Sequence, residues 1–193
     1  MELIFATNNL HKISEVAATL DARYHIITLN ECGIHEDIPE TQPTIEGNAA
    51  QKSHYIYDRT HRNCFADDTG LEVVALGGEP GVRSARYAGD QHDFDANNRL
   101  LLKNMEGKTD RRARFRTVIS LILDGVEHQF EGIVEGRIID HEVGTGGFGY
   151  DPMFIPDGYD RTFAEMTADE KNAISHRGRA VKKLAEYLQS IEK

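Results

Sequence analysis

The sequence of 193 residues lacks tryptophan and contains only five prolines and two cysteines. Cys32 and Cys64 are far apart and form no CxxC pair, which argues against a disulfide scaffold and against a cysteine-based zinc site. No apolar run approaches the ~18 residues that cross a bilayer. The first residues have neither a basic stretch nor a long apolar one, so no signal peptide is predicted. The sequence therefore predicts a cytoplasmic protein with no membrane partner.

Charge narrows the classes of ligand. Acidic residues outnumber basic ones by 32 to 22, which gives a formal net charge of −10. This balance argues against binding to a nucleic-acid polymer, which needs a basic face. A small polyphosphate ligand stays open, because a local pocket can be positive on an acidic protein. The densest bases lie at residues 108–116, and no function is predicted for them.

Hydrophobic periodicity predicts interleaved strands and helices, and the length fits one domain or one unit of two lobes. Asn8 or Asn9 is expected to cap the first helix, and Asp124-Gly125 predicts a tight hairpin, so the sheet should be mixed. Thr167 and Glu170 predict a capping box for a C-terminal helix that buries Val181, Leu184, Leu188 and Ile191. The predicted strands are 2–6, 25–29, 64–67, 71–74, 114–123 and 126–139, with a bend at 69–70; the other predicted helices cover 13–20, 45–59 and 93–105.

Two glycine motifs resemble nucleotide-binding fingerprints and are rejected. Residues 144–149 satisfy GxGxxG, but a dinucleotide site needs a helix that opens at the third glycine, and Tyr150-Asp151-Pro152 follows instead. Gly107-Lys108-Thr109 imitates the end of a P-loop, but it follows a predicted helix rather than a strand. Neither motif supports a nucleotide fold of those classes.

Four other segments carry candidate chemistry, each with a plain structural alternative. Residues 7–12 lie between a strand and a helix start, where an anion is favoured, unless Lys12 is simply solvated. Asp67 and Asp68 end a strand and suit Mg²⁺, unless they form a solvated turn. Residues 148–152 can stack a base or belong to the core. Residues 170–178 gather cationic side chains, or form an ordinary helix surface.

Together these segments resemble the inosine/xanthosine triphosphate pyrophosphatases, which remove non-standard purine nucleotides. The matching stretches run in order along nearly the whole chain: 7–12, 65–71, 80–87, 144–152 and 164–178. The resemblance implies a single α/β catalytic domain over residues 1–193, with a mixed central sheet flanked by helices and two elongated lobes around an active-site cleft. It also implies a homodimer and Mg²⁺-dependent cleavage of ITP, dITP, XTP or dXTP to the monophosphate and pyrophosphate.

The resemblance also assigns roles to residues of this chain. Asp68 matches the catalytic acid, which binds the metal and accepts a proton from water, and Glu40 is the best match to a second metal ligand. Asn8 stands where glycine is usual, and Thr69 replaces a commoner serine. The matching substrate contacts are Thr7, Asn8, Asn9, Leu10, His11, Lys12, Lys52, Thr69, Phe148, Gly149, Tyr150, Asp151, Lys171, His176 and Arg177.

The chemistry of the base gives two of these residues specific roles. Hypoxanthine and xanthine carry a 6-oxo acceptor to which Arg177 can donate, whereas adenine presents an amino donor. Phe148 is predicted to stack on the base. Two other functions stay open, a pyrophosphatase for a modified pyrimidine nucleotide and a nucleotide sensor without activity. Attack at the α- or the β-phosphorus gives the same products, and we assume the α-phosphorus.

Overall fold

The structure is a computed structural model that describes residues 1–191. Strands and helices interleave along this part of the chain, as the periodicity predicts. The strands are β1 Glu2–Phe5, β2 His25–Ile27, β3 Cys64–Val73, β4 Arg112–Leu123, β5 Val126–Ile138 and β6 Phe154–Pro156. The α-helices are α1 Leu10–Thr19, α2 Ile45–Thr60, α3 Phe94–Met105, α4 Ala168–Ile174 and α5 His176–Ile191. Short 3₁₀ helices cover Val74–Leu76, Gly81–Arg86, Asp151–Met153 and Phe163–Glu165.

The six strands form one mixed sheet in the order β2-β1-β3-β4-β5-β6. Strand β1 is parallel to both β2 and β3, whereas β5 is antiparallel to β6. Asp124 and Gly125 connect β4 to β5 with φ angles of 50° and 83°, and a two-residue turn with two positive φ angles is the type I′ hairpin. The predicted mixed sheet and hairpin are confirmed. Strand β6 has only three residues and gives no pattern from which it could be predicted.

The chain divides into two compact units. Unit 1 contains residues 1–68, 117–132 and 177–193, of which the last two lie outside the described part, and unit 2 contains residues 69–116 and 133–176. Strands β3, β4 and β5 each contribute residues to both units. Each unit has a hydrophobic core of its own.

In unit 1 the sheet is buried on both faces, and strand alternation assigns residues to each face. Leu3, Phe5 and Phe65 pack against apolar residues of α1 and α5. Ile4 and Ala66 belong to a second cluster, which includes Ile56 of α2. Odd-numbered positions of β1 and of the first half of β3 thus face α1 and α5, and even-numbered positions face α2.

Unit 2 has an aromatic core. The ring of Phe115 contacts the rings of Phe154 and Phe163 at centroid distances of 4.7 and 6.1 Å. The imidazole of His176 stacks on Phe115 at 4.6 Å with the two planes 13° apart. Gly136 of β5 lies against this core, because a Cβ there would come within 2.3 Å of a backbone oxygen and 2.6 Å of a Phe154 ring atom. The core around Gly136 therefore leaves no room for a side chain at this position.

Helix ends follow the predicted caps, with one correction. The side chain of Asn9 accepts hydrogen bonds from the backbone N–H groups of His11 and Lys12 and caps α1. The capping box of Thr167 and Glu170 is present, but it begins the short helix α4, which ends at Ile174 and has Ser175 as its C-cap. The helix that buries Val181, Leu184 and Leu188 is the separate helix α5. Ile191, which the periodicity places in this apolar stripe, is 45% exposed.

Strand β3 also corrects the sequence interpretation. The pattern predicts two strands that flank a bend at Thr69-Gly70, whereas β3 is continuous from Cys64 to Val73. Gly70 is buried within it, so the tertiary packing overrides the low strand propensity of glycine. In residues 1–191, the helices are too short or too polar to cross a membrane.

The dense bases of residues 108–116 have structural partners in unit 2. The guanidinium of Arg111 donates to three main-chain carbonyls, those of Met105, Ile138 and Ile139. Arg112 forms an ion pair with Asp110, and Arg114 forms one with Glu72. Arg111 therefore joins the end of α3 to the end of β5, and the cluster needs no ligand to explain it.

Candidate active site

The residues predicted to bind phosphate and metal lie in unit 1. They are Thr7, Asn8, Asn9, Leu10, His11, Lys12, Glu40, Lys52 and Asp68. Unit 1 also contains Arg177, which is predicted to contact the base. The other predicted site residues lie in unit 2, and they are Thr69, Phe148, Gly149, Tyr150, Asp151, Lys171 and His176. Of the two residues with a predicted role in base recognition, Arg177 therefore belongs to unit 1 and Phe148 to unit 2.

Asp67 is the centre of a buried charge cluster. Its Oδ1 accepts a hydrogen bond from Lys12 Nζ at 3.1 Å, and its Oδ2 accepts one from Arg177 Nε at 3.1 Å. The Asp67 and Arg177 side chains are almost wholly inaccessible, with 1% and 2% of their surface exposed. Although burial raises the pKa of Asp67, the charges of Lys12 and Arg177 hold that pKa well below its ordinary value. Asp67 is therefore a permanent anion that fixes two cations.

Glu15 is the fourth member of this cluster. Its carboxylate forms an ion pair with Nη1 of Arg177. The sequence reasoning missed Glu15, although it follows Lys12 by three positions on α1 and so shares a helix face with it. Arg177 is thus held between two carboxylates, and Lys12 is held by one of them. Burial, with the charges of Lys52 and Arg177, lowers the pKa of Lys12 in spite of Asp67.

A second cluster surrounds Lys52 of α2. Its ammonium lies 2.5 Å from an oxygen of Glu40 and 3.6 Å from Oδ1 of Asp68. Burial lowers the pKa of Lys52, but the charges of Asp68 and Glu40 outweigh burial and raise it above its ordinary value. Lys52 therefore stays charged and partly neutralises a pair of carboxylates.

Asp68 differs from its neighbour in having an oxygen that is not satisfied. Its Oδ2 is buried, and among residues 1–191 no group hydrogen-bonds to it. Burial, with the charges of Glu40 and Asp67, raises the pKa of Asp68 in spite of Lys52. A buried carboxylate oxygen without a partner is unfavourable, and functional groups are a common reason for one to persist.

The carboxylates of this cluster fit a hard divalent cation that is shared with a ligand. Glu40 and Asp68 both contact the Lys52 ammonium, and together they carry one negative charge more than Lys52 neutralises. No group of three or more His, Cys, Asp or Glu side chains converges as a metal cage in the described residues. Mg²⁺ is usually bound by one or two carboxylates together with substrate phosphates. The carboxylates of Glu40 and Asp68, the second with an unsatisfied oxygen, meet that requirement.

Asp67, by contrast, already pairs with two cations. The sequence suggests both aspartates for a shared cation, but both oxygens of Asp67 are engaged by Lys12 and Arg177. Phe65 faces α1 and α5, and Ala66 faces α2. Strand alternation therefore directs Asp67 toward the first pair of helices and Asp68 toward α2.

The loop at residues 7–12 is an ordered helix start. Asn9 N donates to Thr7 Oγ1 at 3.1 Å, and Asn9 Oδ1 accepts from the N–H groups of His11 and Lys12. Asn9 thus already satisfies two of the N–H groups that are predicted to face phosphate. Non-glycine residues with positive φ in the described chain are His61, His92 and Asp124, so Asn8 adopts its position without the left-handed strain that glycine would relieve. Leu10 is 76% exposed.

In unit 2, Asp151 and Lys171 form a buried ion pair at 2.7 Å. The same Asp151 oxygen accepts from the backbone N–H of Phe148 at 3.0 Å, and Lys171 Nζ lies 4.9 Å from the centre of the Phe148 ring. Gly147 has a φ of +65°, and a Cβ there would lie 2.1 Å from this oxygen. These contacts fix the loop that carries Phe148.

Two predicted substrate contacts of unit 2 are core residues. The hydroxyl of Tyr150 donates to the carbonyl of Ser84 at 2.6 Å, and burial raises its pKa well above the ordinary value. His176 is 3% exposed and stacks on Phe115. Thr69 lies in β3 and is half-buried. For Tyr150 the core alternative for residues 148–152 explains the side-chain position. The surface alternative for residues 170–178 does not hold for His176, which is buried.

Comparisons with known proteins agree on one family. The sequence model of the Ham1 family matches residues 3–187. A dITP/XTP pyrophosphatase of Flavobacterium johnsoniae is 50% identical over 192 residues, all of both chains. A dITP/XTP pyrophosphatase of Porphyromonas gingivalis is 52% identical over 188 residues, 97% of each chain. The solved structure of the Staphylococcus aureus Ham1 protein has a TM-score of 0.91 and 41% identity, and it covers both chains completely.

Proposed function

The chain belongs to the Ham1 family, and we propose that it hydrolyses non-standard purine nucleoside triphosphates to the monophosphate and pyrophosphate. The proposed substrates are ITP, dITP, XTP and dXTP. One observation carries the proposal: the unsatisfied oxygen of Asp68 lies in a buried cluster with Lys52 and Glu40. Such a cluster is suited to phosphate chemistry. Relatives that are 50% and 52% identical are named dITP/XTP pyrophosphatases.

Lys12 and Lys52 are proposed to bind the triphosphate. Each ammonium is already held by a carboxylate, Lys12 by Asp67 and Lys52 by Glu40. Fixed cations need no reorganisation when negative charge develops on a leaving pyrophosphate, and in many enzymes such preorganised charges contribute most of the rate enhancement. Asp67 therefore acts through Lys12, since its two oxygens are engaged by Lys12 and Arg177.

Glu40 and Asp68 are proposed to hold Mg²⁺. When bound, the ion would polarise phosphate oxygens and offset their charge. The residues themselves supply hard oxygen ligands, and both carboxylates are positioned beside Lys52.

Asp68 is proposed to orient the attacking water and to accept its proton. Its pKa is raised by burial, and a more basic carboxylate is a better proton acceptor near neutral pH. Its Oδ2 has no competing hydrogen bond within residues 1–191. Attack on the α-phosphorus then expels pyrophosphate, and Lys12 and Lys52 stabilise the leaving group.

The base contacts stay a proposal that rests on the family resemblance. Phe148 supplies a ring face for stacking, and Lys171 and Asp151 hold its loop. The chemistry of the base predicts that Arg177 donates to the 6-oxo group. In this structure its Nε and Nη1 pair with Asp67 and Glu15, and these two carboxylates hold the guanidinium in place. The homodimer and the cytoplasmic location also stay predictions.

A panel of triphosphates tests the activity directly. Purified protein with Mg²⁺ is given ITP, XTP, dITP, GTP, ATP, CTP and UTP, and pyrophosphate and inorganic phosphate are measured separately. The proposal expects pyrophosphate from ITP, dITP and XTP at rates at least ~100-fold above those for ATP. Preference for a pyrimidine would favour the first alternative function. Binding of ITP without product would favour a nucleotide sensor, and either outcome would refute the proposal.

A further inference from the structure

Helix α3 contacts the loop that carries Phe148 through two residues on one helix face. Phe94 and Asn98 are four positions apart and therefore neighbours on the helix surface. The Phe94 ring centre is 6.0 Å from that of Phe148. The Asn98 side-chain amide donates to the carbonyl of Gly149 at 3.1 Å. Two consecutive loop residues are thus each held by one residue of α3.

The orientation of the Asn98 amide is fixed by its partners. Its Nδ2 donates to Gly149 O and to Glu142 Oε1, at 3.1 and 2.6 Å. A carbonyl and a carboxylate only accept, so the amide nitrogen must face them. Oδ1 then points away from both, and it is a buried acceptor without a hydrogen bond from any residue of the described chain. The position keeps a costly unsatisfied oxygen in order to hold Glu142 and Gly149.

The carbonyl that Asn98 holds lies at a point where the loop changes direction. Gly149 has a φ of +62°, a conformation that only glycine adopts without strain. On the other side of the loop, Asp151 accepts from Phe148 N and from Lys171 Nζ. The Phe148 ring is therefore braced by α4 through Lys171 and Asp151, and by α3 through Asn98 and Gly149.

We propose that Asn98 is a positioning residue for base recognition. It fixes the Gly149 carbonyl, and thereby the Phe148 ring, so that the ring presents a preformed stacking surface to a planar purine base. For its kinetic consequence this inference rests on the proposed function. Without Asn98, the loop must be ordered when the base binds, and that ordering weakens binding without changing the chemical step.

The first experiment compares Asn98→Leu with Asn104→Leu. Asn104 is on the same helix, is half-buried and makes a 2.7 Å amide hydrogen bond to Tyr87, so its variant controls for the loss of a side-chain amide and its hydrogen bond. Asn98→Leu is expected to raise KM for ITP about fivefold, with kcat within about twofold of wild type. Asn104→Leu is expected to leave both constants unchanged. Equal KM values for the two variants would overturn the inference.

The second experiment needs no substrate. The chain contains no tryptophan, so Phe148→Trp introduces a single fluorescent reporter in the loop. In that background, Asn98→Leu is expected to increase acrylamide quenching and to lower the fluorescence anisotropy, and Asn104→Leu is expected to change neither. Thermal unfolding shows whether Asn98→Leu is folded. If it is not, the isosteric Asn98→Asp, which lacks both amide N–H donors, replaces it.

The two experiments separate this inference from the proposed function. A change in quenching confined to the Asn98 variant supports the positioning role, even if the wild-type enzyme proves inactive on ITP, in which case only the proposed function fails. Identical quenching in the Asn98 and Asn104 variants refutes the positioning role, whatever substrate the enzyme has.

Discussion

Asp67 and Asp68 are neighbours in strand β3, yet their carboxylates lie on opposite faces of it. Asp67 meets Lys12 of α1, and Asp68 meets Lys52 of α2. Because successive side chains of a strand alternate, the two carboxylates pair with different lysines. The two acids have separate roles instead: Asp67 organises cations, and Asp68 keeps an oxygen free of hydrogen bonds within residues 1–191.

Lys52→Met tests whether this ammonium stabilises the buried carboxylates. The substitution leaves Glu40 and Asp68 without their shared cation, and breaking a buried pair costs about 3 kcal/mol. We expect the free energy of unfolding in EDTA to fall by that amount in urea titrations. Mg²⁺ should raise the Tm of the variant more than it raises that of wild type, since the ion can replace the lost charge.

Lys103→Met, at an exposed position of α3, is the matched control for this change. Its free energy of unfolding should lie within about 0.5 kcal/mol of the wild-type value. If Lys52→Met is as stable as this control in EDTA, the ammonium does not stabilise Glu40 and Asp68.

Gly147→Ala tests the support of the Phe148 loop. The new Cβ would overlap Asp151 Oδ2, which Lys171 and Phe148 N share. Gly158→Ala is the control, because Gly158 also has a positive φ but open space around it. We expect both to lose about 1 kcal/mol of stability from backbone strain. Only Gly147→Ala should also raise KM for ITP, and equal KM values in the two variants would argue against the loop as a substrate contact.

A pH-dependent contribution to stability is expected at Glu127, remote in sequence from the proposed metal ligands. Partial burial raises its pKa, but hydrogen bonds from His54, Gln129 and Ser120 outweigh burial and hold that pKa below its ordinary value. A carboxyl with a depressed pKa stabilises the fold above its unfolded pKa, and this stability is lost as pH falls through the folded value.

Glu127→Gln should therefore destabilise the protein at pH 7, and its difference from wild type should shrink as the pH falls below about 4, the ordinary range of a glutamate pKa. Urea unfolding at both pH values measures this difference. A constant difference between the two proteins at all pH values would show that the effect is one of packing.

Thiol reactivity separates the two cysteines. Cys64 is fully buried, and burial, with the charge of Asp58, raises its pKa to about 12. The thiolate is the reactive species, so at pH 8 Ellman's reagent should modify one thiol rapidly in native protein and two in denaturant. Cys32→Ser should abolish the rapid phase. A rapid phase that survives in Cys32→Ser would show that Cys64 opens readily to solvent.

Much of the fold could be predicted from local patterns. The hairpin at Asp124-Gly125 and the Asn9 cap are local signals, and both are confirmed. The continuity of β3 through Gly70 could not be predicted, because it depends on burial by distant residues. The same holds for the break at Ser175 between α4 and α5, since no proline or glycine marks it.

The site shows the same division between local and tertiary information. Lys12, Asp68 and Arg177 could be named from motifs, but their partners could not. Had the end of β3 been predicted correctly, strand alternation would have separated Asp67 from Asp68. Helix spacing on α1 would have suggested Glu15. The contact between Asn98 and Gly149 crosses 51 positions, and no short pattern encodes it.

Asp68 is proposed to activate water, and pyrophosphate release from ITP by Asp68→Asn tests this role. Asp58→Asn, at an exposed position of α2, is the control, and calorimetry confirms that both variants bind ITP. We expect a loss of at least ~100-fold in kcat for Asp68→Asn and wild-type turnover for the control. If folded Asp68→Asn keeps more than about a tenth of wild-type turnover, Asp68 is not the general base, because a general base contributes more than that.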